Sequence, residues 1–125
     1  MDAVEEYERG GEHDSNGRPA EAVPHYERSL ALGLPDELVP RAMLQLASTL
    51  RNLGRRDEAL ALFDEAIARY PGDAALPIFR AFLLADLGRE REALVSVIDL
   101  ARTRIDAPEI RRYARSLNGY TRDLE

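Results

Sequence analysis

The sequence contains no cysteine. That absence removes disulfides, thiol nucleophiles and thiolate metal sites together. Lysine is missing too. All 17 basic residues are arginine, which reads as the codon bias of a GC-rich genome rather than as arginine-specific recognition. Basic charge is in deficit, with a net charge of −6. General nucleic-acid binding depends on basic groups displacing counterions from phosphates, so no nucleic-acid partner is expected. Long hydrophobic runs are absent as well. The most apolar stretch, residues 81–85 within 74–87, is bounded and interrupted by Pro77, Arg80 and Asp86, far short of the roughly 20 apolar residues that span a bilayer. The first residues, Met1-Asp2-Ala3-Val4-Glu5-Glu6, are acidic where a secretory signal has a basic and then an apolar region, so a cytoplasmic location is expected. No nucleophile elbow, phosphate loop, dinucleotide fingerprint or His-Glu-x-x-His motif occurs. The expectation is a non-enzyme with no cofactor and no metal.

What is present is helical periodicity. In 125 residues with 45% hydrophobic side chains there is material for one domain, residues 1–125. Apolar residues recur three and four apart, as in Met43, Leu46, Ala47 and Leu50 and again in Ala59, Leu62, Phe63, Ala66 and Ile67, and nothing alternates as a half-buried strand does. The fold class is therefore all-α. Asn16-Gly17, Leu53-Gly54 and Leu87-Gly88 carry helix-stop signals. Pro35-Asp36 and Pro71-Gly72-Asp73 restart helices with an aspartate suited to an N-cap, and Asp2 with Glu5 suits a cap on the first helix. Pro24 predicts either a slight bend in the second helix or a start later than Pro19.

Aligning segments against each other exposes a repeat. Gly54-Arg55-Arg56-Asp57-Glu58-Ala59-Leu60 matches Gly88-Arg89-Glu90-Arg91-Glu92-Ala93-Leu94 at an offset of 34 residues, and Gly17-Arg18-Pro19-Ala20-Glu21-Ala22-Val23 precedes the first of these by 37. The three-residue difference places a longer helix at Asp36 to Leu53 than at Asp73 to Leu87. In this register the sequence resembles the tetratricopeptide repeat, a helix-turn-helix unit of about 34 residues. Its middle copy carries Ala47, Gly54, Ala59, Phe63, Ala66 and Pro71 where the family has its small residues, turn glycine, aromatic and terminal proline. The first copy keeps Gly10, Gly17, Ala22, Tyr26 and Pro35. The third keeps Ala81, Gly88 and Ala93, with Val97 and Leu100 for the aromatic and the next alanine and no proline.

The resemblance covers about residues 3–105, and the ordering is similar to small bacterial proteins made of one short tetratricopeptide domain. It implies a right-handed superhelical stack of three helix pairs over about 3–35, 36–72 and 73–106, then a capping helix over about 107–123, seven helices in all. The tail presents Ile110, Tyr113, Ala114 and Leu117 on one face, and Asn118-Gly119 is a candidate end for it.

The function implied is non-catalytic binding of a peptide or helix of a protein partner on the concave face, lined by the first helix of each pair. Projection of the helical faces places Tyr7, Gly11 and Asp14 there from the first pair. Arg41, Leu44, Gln45, Ser48, Arg51 and Asn52 come from the second pair, and Ile78, Phe82 and Asp86 from the third. Family members that hold a C-terminal carboxylate use a lysine and an asparagine one turn apart, where this chain has Tyr7 and Gly11. Two readings of Ile78 and Phe82 stand: the capping helix covers them, or they are exposed as a peptide anchor.

The alternative function is a homo-oligomeric or regulatory structural protein whose groove is closed by its own C-terminal helix. A homodimer is a partner reading alongside a foreign protein, given the acidic first fourteen residues and the six arginines between Arg102 and Arg122. A nucleic-acid adaptor built on those arginines ranks lower. A site on His13 and His25, the only histidines, ranks last, because two ligands without a third at a characteristic spacing do not define a metal centre. His13 stands where the repeat has a packing aromatic and reads better as part of the helix contact.

Overall fold

Three turn glycines carry the same geometry at the same place in each copy. Gly17, Gly54 and Gly88 have φ of 71°, 78° and 74°, the left-handed region that a residue with a Cβ enters only at a cost. In each turn the N–H of the following arginine donates to the carbonyl five residues back, Arg18 to His13 at 2.9 Å, Arg55 to Leu50 at 2.9 Å and Arg89 to Leu84 at 2.8 Å. The last carbonyls of one helix are thereby satisfied as the chain reverses. The same arginine pairs with a glutamate three residues on, Arg18 with Glu21, Arg55 with Glu58 and Arg89 with Glu92. The sequence motif Gly-Arg-x-x-Glu-Ala is thus one structural unit built three times.

The structure is a computed structural model that describes residues 1–125, all of them helix, turn or connection. Its helices are α1 (Ala3–Ser15), α2 (Pro19–Leu32), α3 (Val39–Asn52), α4 (Arg56–Arg69), α5 (Ala75–Asp86), α6 (Glu90–Arg104), α7 (Pro108–Arg112) and α8 (Ala114–Leu124). None is long and apolar enough to cross a membrane. The chain divides into two compact units, Met1–Leu76 and Pro77–Glu125.

The first unit holds α1 to α4. Asp2 caps α1, accepting from the Glu5 N–H at 2.9 Å while the Glu5 carboxylate accepts from the Asp2 N–H at 3.3 Å. Three-residue connections turn α1 onto α2 and α3 onto α4, and α3 packs against both α1 and α2. Small residues sit where the helices approach: Ala22, Ala42, Ala47 and Ala59 are wholly buried. Tyr26 and Phe63 occupy corresponding places in α2 and α4 and are also wholly buried. Ala3, Leu34 and Ala42 close the lower end, with Val4, Tyr7, Leu30, Leu38 and Val39 packed around them.

A local expectation failed at one start, and at a second only one of two alternatives stands. The α3 helix begins at Val39, not Asp36, and Asp36 is not its cap. Residues 36–38 form a turn in which the Leu38 N–H donates to Pro35 O at 2.9 Å. Pro40 fits this start but does not impose it, since Asp73 accepts from the first N–H groups of α5 with Pro77 at the same spacing. A helix capped by Asp36 would place Pro40 where the first intrahelical N–H bond is made, whereas a start at Val39 leaves it in the first turn, whose N–H groups have no intrahelical partner anyway. The expected extra turn therefore shrinks to 14 residues in α3 against 12 in α5. At the second start, α2 begins at Pro19 and carries Pro24 inside it. By contrast Asp73 does act at the head of α5, accepting from Ala75 N at 2.9 Å and Leu76 N at 3.1 Å.

The second unit holds α5 to α8. The tail is two helices, making eight rather than seven, because the chain departs from helical geometry at Tyr113 (φ −104°, ψ 15°). Asn118-Gly119 does not end α8, which continues to Leu124. Packing overrides the local stop signal: α8 lies on α6, Thr121 is buried, and its hydroxyl donates to Leu117 O at 2.6 Å.

Candidate functional site

The candidate surface residues fall into three environments. On α1 they belong largely to the framework. Tyr7 is half-buried with its ring 6.2 Å from that of Tyr26. Gly10 lies against the same ring, so close that a Cβ there would sit 2.6 Å from Tyr26 Cε1. Asp14 Oδ2 accepts from the Tyr26 hydroxyl at 2.7 Å and from the Thr49 hydroxyl at 2.8 Å. One carboxylate therefore ties α1, α2 and α3 together. Burial pushes the Tyr26 phenol pKa upward, and the bond to Asp14 adds to the shift. Thr49 was not anticipated in this role, because its hydroxyl has an ordinary helical acceptor as well, Gln45 O at 2.8 Å.

The histidines form a second framework cluster. The rings of His13 and His25 stack at 5.1 Å and 21°. His25 Nδ1 lies 2.6 Å from Glu6 Oε2, and Arg28 Nε donates to Glu6 Oε1 at 3.1 Å. The Glu6 side chain is 7% exposed, and these partners, His25 first and Arg28 second, hold its carboxyl below the usual glutamate range. His13 Nδ1 lies 3.2 Å from the Glu21 carboxylate. The cluster pins α2 to α1, and no three of its ligating groups converge on a point. Glu6 is the member that sequence reasoning missed, since nothing in the run Glu5-Glu6-Tyr7-Glu8 marks one acid as buried.

On α3 the candidates form a polar stripe. Arg41, Gln45 and Asn52 are exposed, while Leu44, Ser48 and Arg51 are half-buried. On α5, Asp86 is exposed, and Ile78 and Phe82, one turn apart, are 41% and 55% exposed. The capping helix does not cover them. Together with Ala81, Ala85, Ala93, Leu94 and Val97 they line a concavity of about 440 Å³ between α5 and α6. Its only charged lining residue is Glu90. Phe79 adjoins it, edge-on to Phe82 with ring centroids 6.4 Å apart.

Leu94 and Val97, 49% and 38% exposed, are the site residues that sequence reasoning omitted. A signal existed: Val97 replaces the aromatic of the other two copies, which lowers the bulk available to close the space. The C-terminal arginines are partly neutralised within the second unit, Arg102 by Asp99 at 3.0 Å and Arg111 by Asp106.

Comparison with known proteins places the fold. The family described as tetratrico peptide repeat matches residues 3–124. No curated protein sequence matches the chain. Among solved structures, the type III secretion translocator chaperone SycD of Yersinia enterocolitica, in an alternative dimer, superposes with a TM-score of 0.68 at 16% identity, over 98% of this chain and 90% of that one. The same chaperone in complex with a peptide of the translocator YopD gives 0.69 at 17% identity, over 97% and 90%. PcrH from Pseudomonas aeruginosa gives 0.68 at 18%, over 98% and 90%. At such identities the likeness is one of fold.

Proposed function

The chain belongs to the tetratricopeptide-repeat family, and from that premise we propose that it is a non-catalytic protein-interaction module that binds a peptide or helix of a protein partner. The observation that carries this is the open apolar concavity of α5 and α6. A folded chain that leaves Ile78, Phe82, Leu94 and Val97 between 38% and 55% exposed keeps a contiguous apolar patch in water, and such patches mark interaction sites. The polar stripe of α3, with Arg41, Gln45 and Asn52 outward, supplies a second surface able to give directional hydrogen bonds. In the structure of SycD with a YopD peptide the same fold holds a partner's segment, which supports the reading. The titratable clusters support it too: Glu6, His25, Asp14 and Tyr26 are engaged with one another across helix contacts, so none is presented to a substrate.

The alternative of a groove closed by the chain's own C-terminal helix is disfavoured by the exposure of Ile78 and Phe82. The test is Phe82→Asp compared with the unmodified protein in a crosslinked pull-down from the native cytoplasm. The expected result is loss of the partner with helix content unchanged by circular dichroism. Unfolding of the variant, or retention of the partner, overturns the assignment of this face.

A further inference from the structure

The three copies of the repeat are not treated alike, and the difference says what belongs in the concavity. At the positions corresponding to Ala93, Leu94 and Val97, the first copy has Ala22, Val23 and Tyr26, which are 0%, 4% and 0% exposed. Helices cover them on both sides: Tyr7 and Gly10 of α1 lie against the Tyr26 ring, and α3 packs against both α1 and α2, with its Thr49 donating to Asp14, the counterpart of Ala85. The middle copy has Ala59 and Phe63, both wholly buried, and Leu60, half-buried, at corresponding positions. In the third copy the same face is open. The tail helix α8 packs elsewhere, bringing Thr121 and Leu124 beside Val95, Ser96 and Asp99 of α6. The α4 counterparts of Val95 and Asp99 are the exposed Ala61 and Glu65.

Resting on the reading of this chain as an interaction module, we infer that the face formed by Ile78, Phe82, Leu94 and Val97 is a vacant helix seat. Its occupant is a single amphipathic helix of a partner protein, with small and apolar residues on one side and basic residues flanking them. Three observations select that occupant. The internal precedent for this seat is a helix, not an extended peptide. The seat's only charged residue is the acid Glu90, and the helix that fills the first-copy seat has the half-buried Arg51 and no acidic residue over Val39–Asn52. The exposed area is small. The four side chains of the seat with the adjoining Phe79, all 38–55% exposed, leave on the order of 400 Å² of apolar surface, enough for one helix and below the ~800 Å² that each partner contributes to a stable dimer interface.

The chain supplies its own probe. A fluorescent peptide of residues 38–53, stapled through positions 45 and 52 on its outward face to hold it helical, is titrated into the full-length protein and followed by anisotropy. The expected result is saturable binding that weakens at least about tenfold in Leu94→Asp. The same loss is expected in Leu94→Ala Val97→Ala, whose folding is checked by circular dichroism. Binding should also weaken several-fold when Arg51 of the peptide, off the stapled face, is replaced by glutamate. No binding, or binding insensitive to both seat variants, overturns the proposal.

Two other occupants have their own signatures, and either one overturns it. If sedimentation gives a dimer that Leu94→Asp converts to monomer, the occupant is a second copy. If cysteines placed at Leu94 and Tyr120, in a chain otherwise free of them, close a disulfide rapidly, the occupant is the tail. Loss of the native partner in Phe82→Asp without peptide binding defeats the seat and leaves the interaction module standing, whereas retention of the partner defeats both.

Discussion

Gly10 and Gly11 are neighbours in α1, and substituting each by alanine should move stability in opposite directions. An exposed glycine inside a helix costs about 1 kcal/mol relative to alanine, so on propensity alone both changes stabilise. At Gly11 nothing opposes this, because a Cβ there would meet no atom nearer than the Tyr26 hydroxyl at 4.0 Å. At Gly10 the Cβ would lie 2.6 Å and 2.7 Å from Tyr26 Cε1 and Cδ1, where carbon atoms in contact sit about 3.5–4.0 Å apart.

The ring has no direction in which to yield. It is wholly buried and its hydroxyl is tied to Asp14 at 2.7 Å. Overpacking of this kind costs about 1–3 kcal/mol, and displacing the ring from Asp14 adds about 1 kcal/mol for the strained hydrogen bond. Gly10→Ala should therefore lose about 1–3 kcal/mol net and Gly11→Ala gain up to about 1 kcal/mol. In thermal unfolding the two variants should flank the unmodified protein, separated by roughly 5–15 °C. A Gly10→Ala protein as stable as the parent would refute the argument that Tyr26 fixes the α1–α2 distance.

Other perturbations follow from the same contacts. Tyr26→Phe and Thr49→Val each remove one donor from Asp14 and should cost about 1–2 kcal/mol. Because they share that acceptor, a double-mutant cycle in urea should be non-additive by at least about 0.5 kcal/mol. Glu6 has its carboxyl held below the ordinary value near 4.5 by His25 and Arg28, so its contribution to stability is present above that pH and lost on acidification through the depressed value. Glu6→Gln should flatten the fall in stability below pH 4.5 measured by urea midpoints. It should not abolish that fall, since Asp2, Glu58 and Glu92 are also held low by their hydrogen bonds. Pro24, exposed and six residues into α2, denies the helix one interior N–H bond, so Pro24→Ala should raise the urea midpoint by an amount equivalent to about 1–2 kcal/mol.

Much of the framework was legible because it is written in residues with one physical meaning. A glycine that must take positive φ, followed by an arginine and then a glutamate, gave all three helix reversals at Gly17, Gly54 and Gly88. Alanines at fixed spacing gave the close crossings. Where the outcome depended on competition between neighbours, single residues misled. Asp36 looks like the cap that Asp73 is, yet a turn closed by the Leu38 N–H on Pro35 O delays the helix start to Val39. Asn118-Gly119 looks like a stop until α8 gains more by packing Thr121 on α6 than glycine costs. The break at Tyr113 is a modest departure in φ and ψ that no residue type announces.

The site was half legible for a related reason. Periodicity put Ile78 and Phe82 on an apolar face, but whether such a face is covered depends on where the tail packs. The counterparts of Val97 are core in both preceding copies and that of Leu94 is core in the first and half-buried in the second, and the sequence pattern alone treats them the same way. Asp14 was placed on a surface although two hydroxyls bind it, because a half-buried acid between helices has the same sequence appearance as an exposed one.

The central claim is that this chain acts by holding a partner's helix against α5 and α6. The most direct measurement places a photo-crosslinking phenylalanine analogue at Phe82 in one protein and at Tyr120, 71% exposed, in another, irradiates the producing cells and maps adducts by mass spectrometry. The account predicts an adduct at Phe82 that maps to a helical segment of one protein, competes with the residue 38–53 peptide and is absent at Tyr120. Equal adducts at both positions, or an adduct at Phe82 only with residues 107–125 of the same chain, would contradict it.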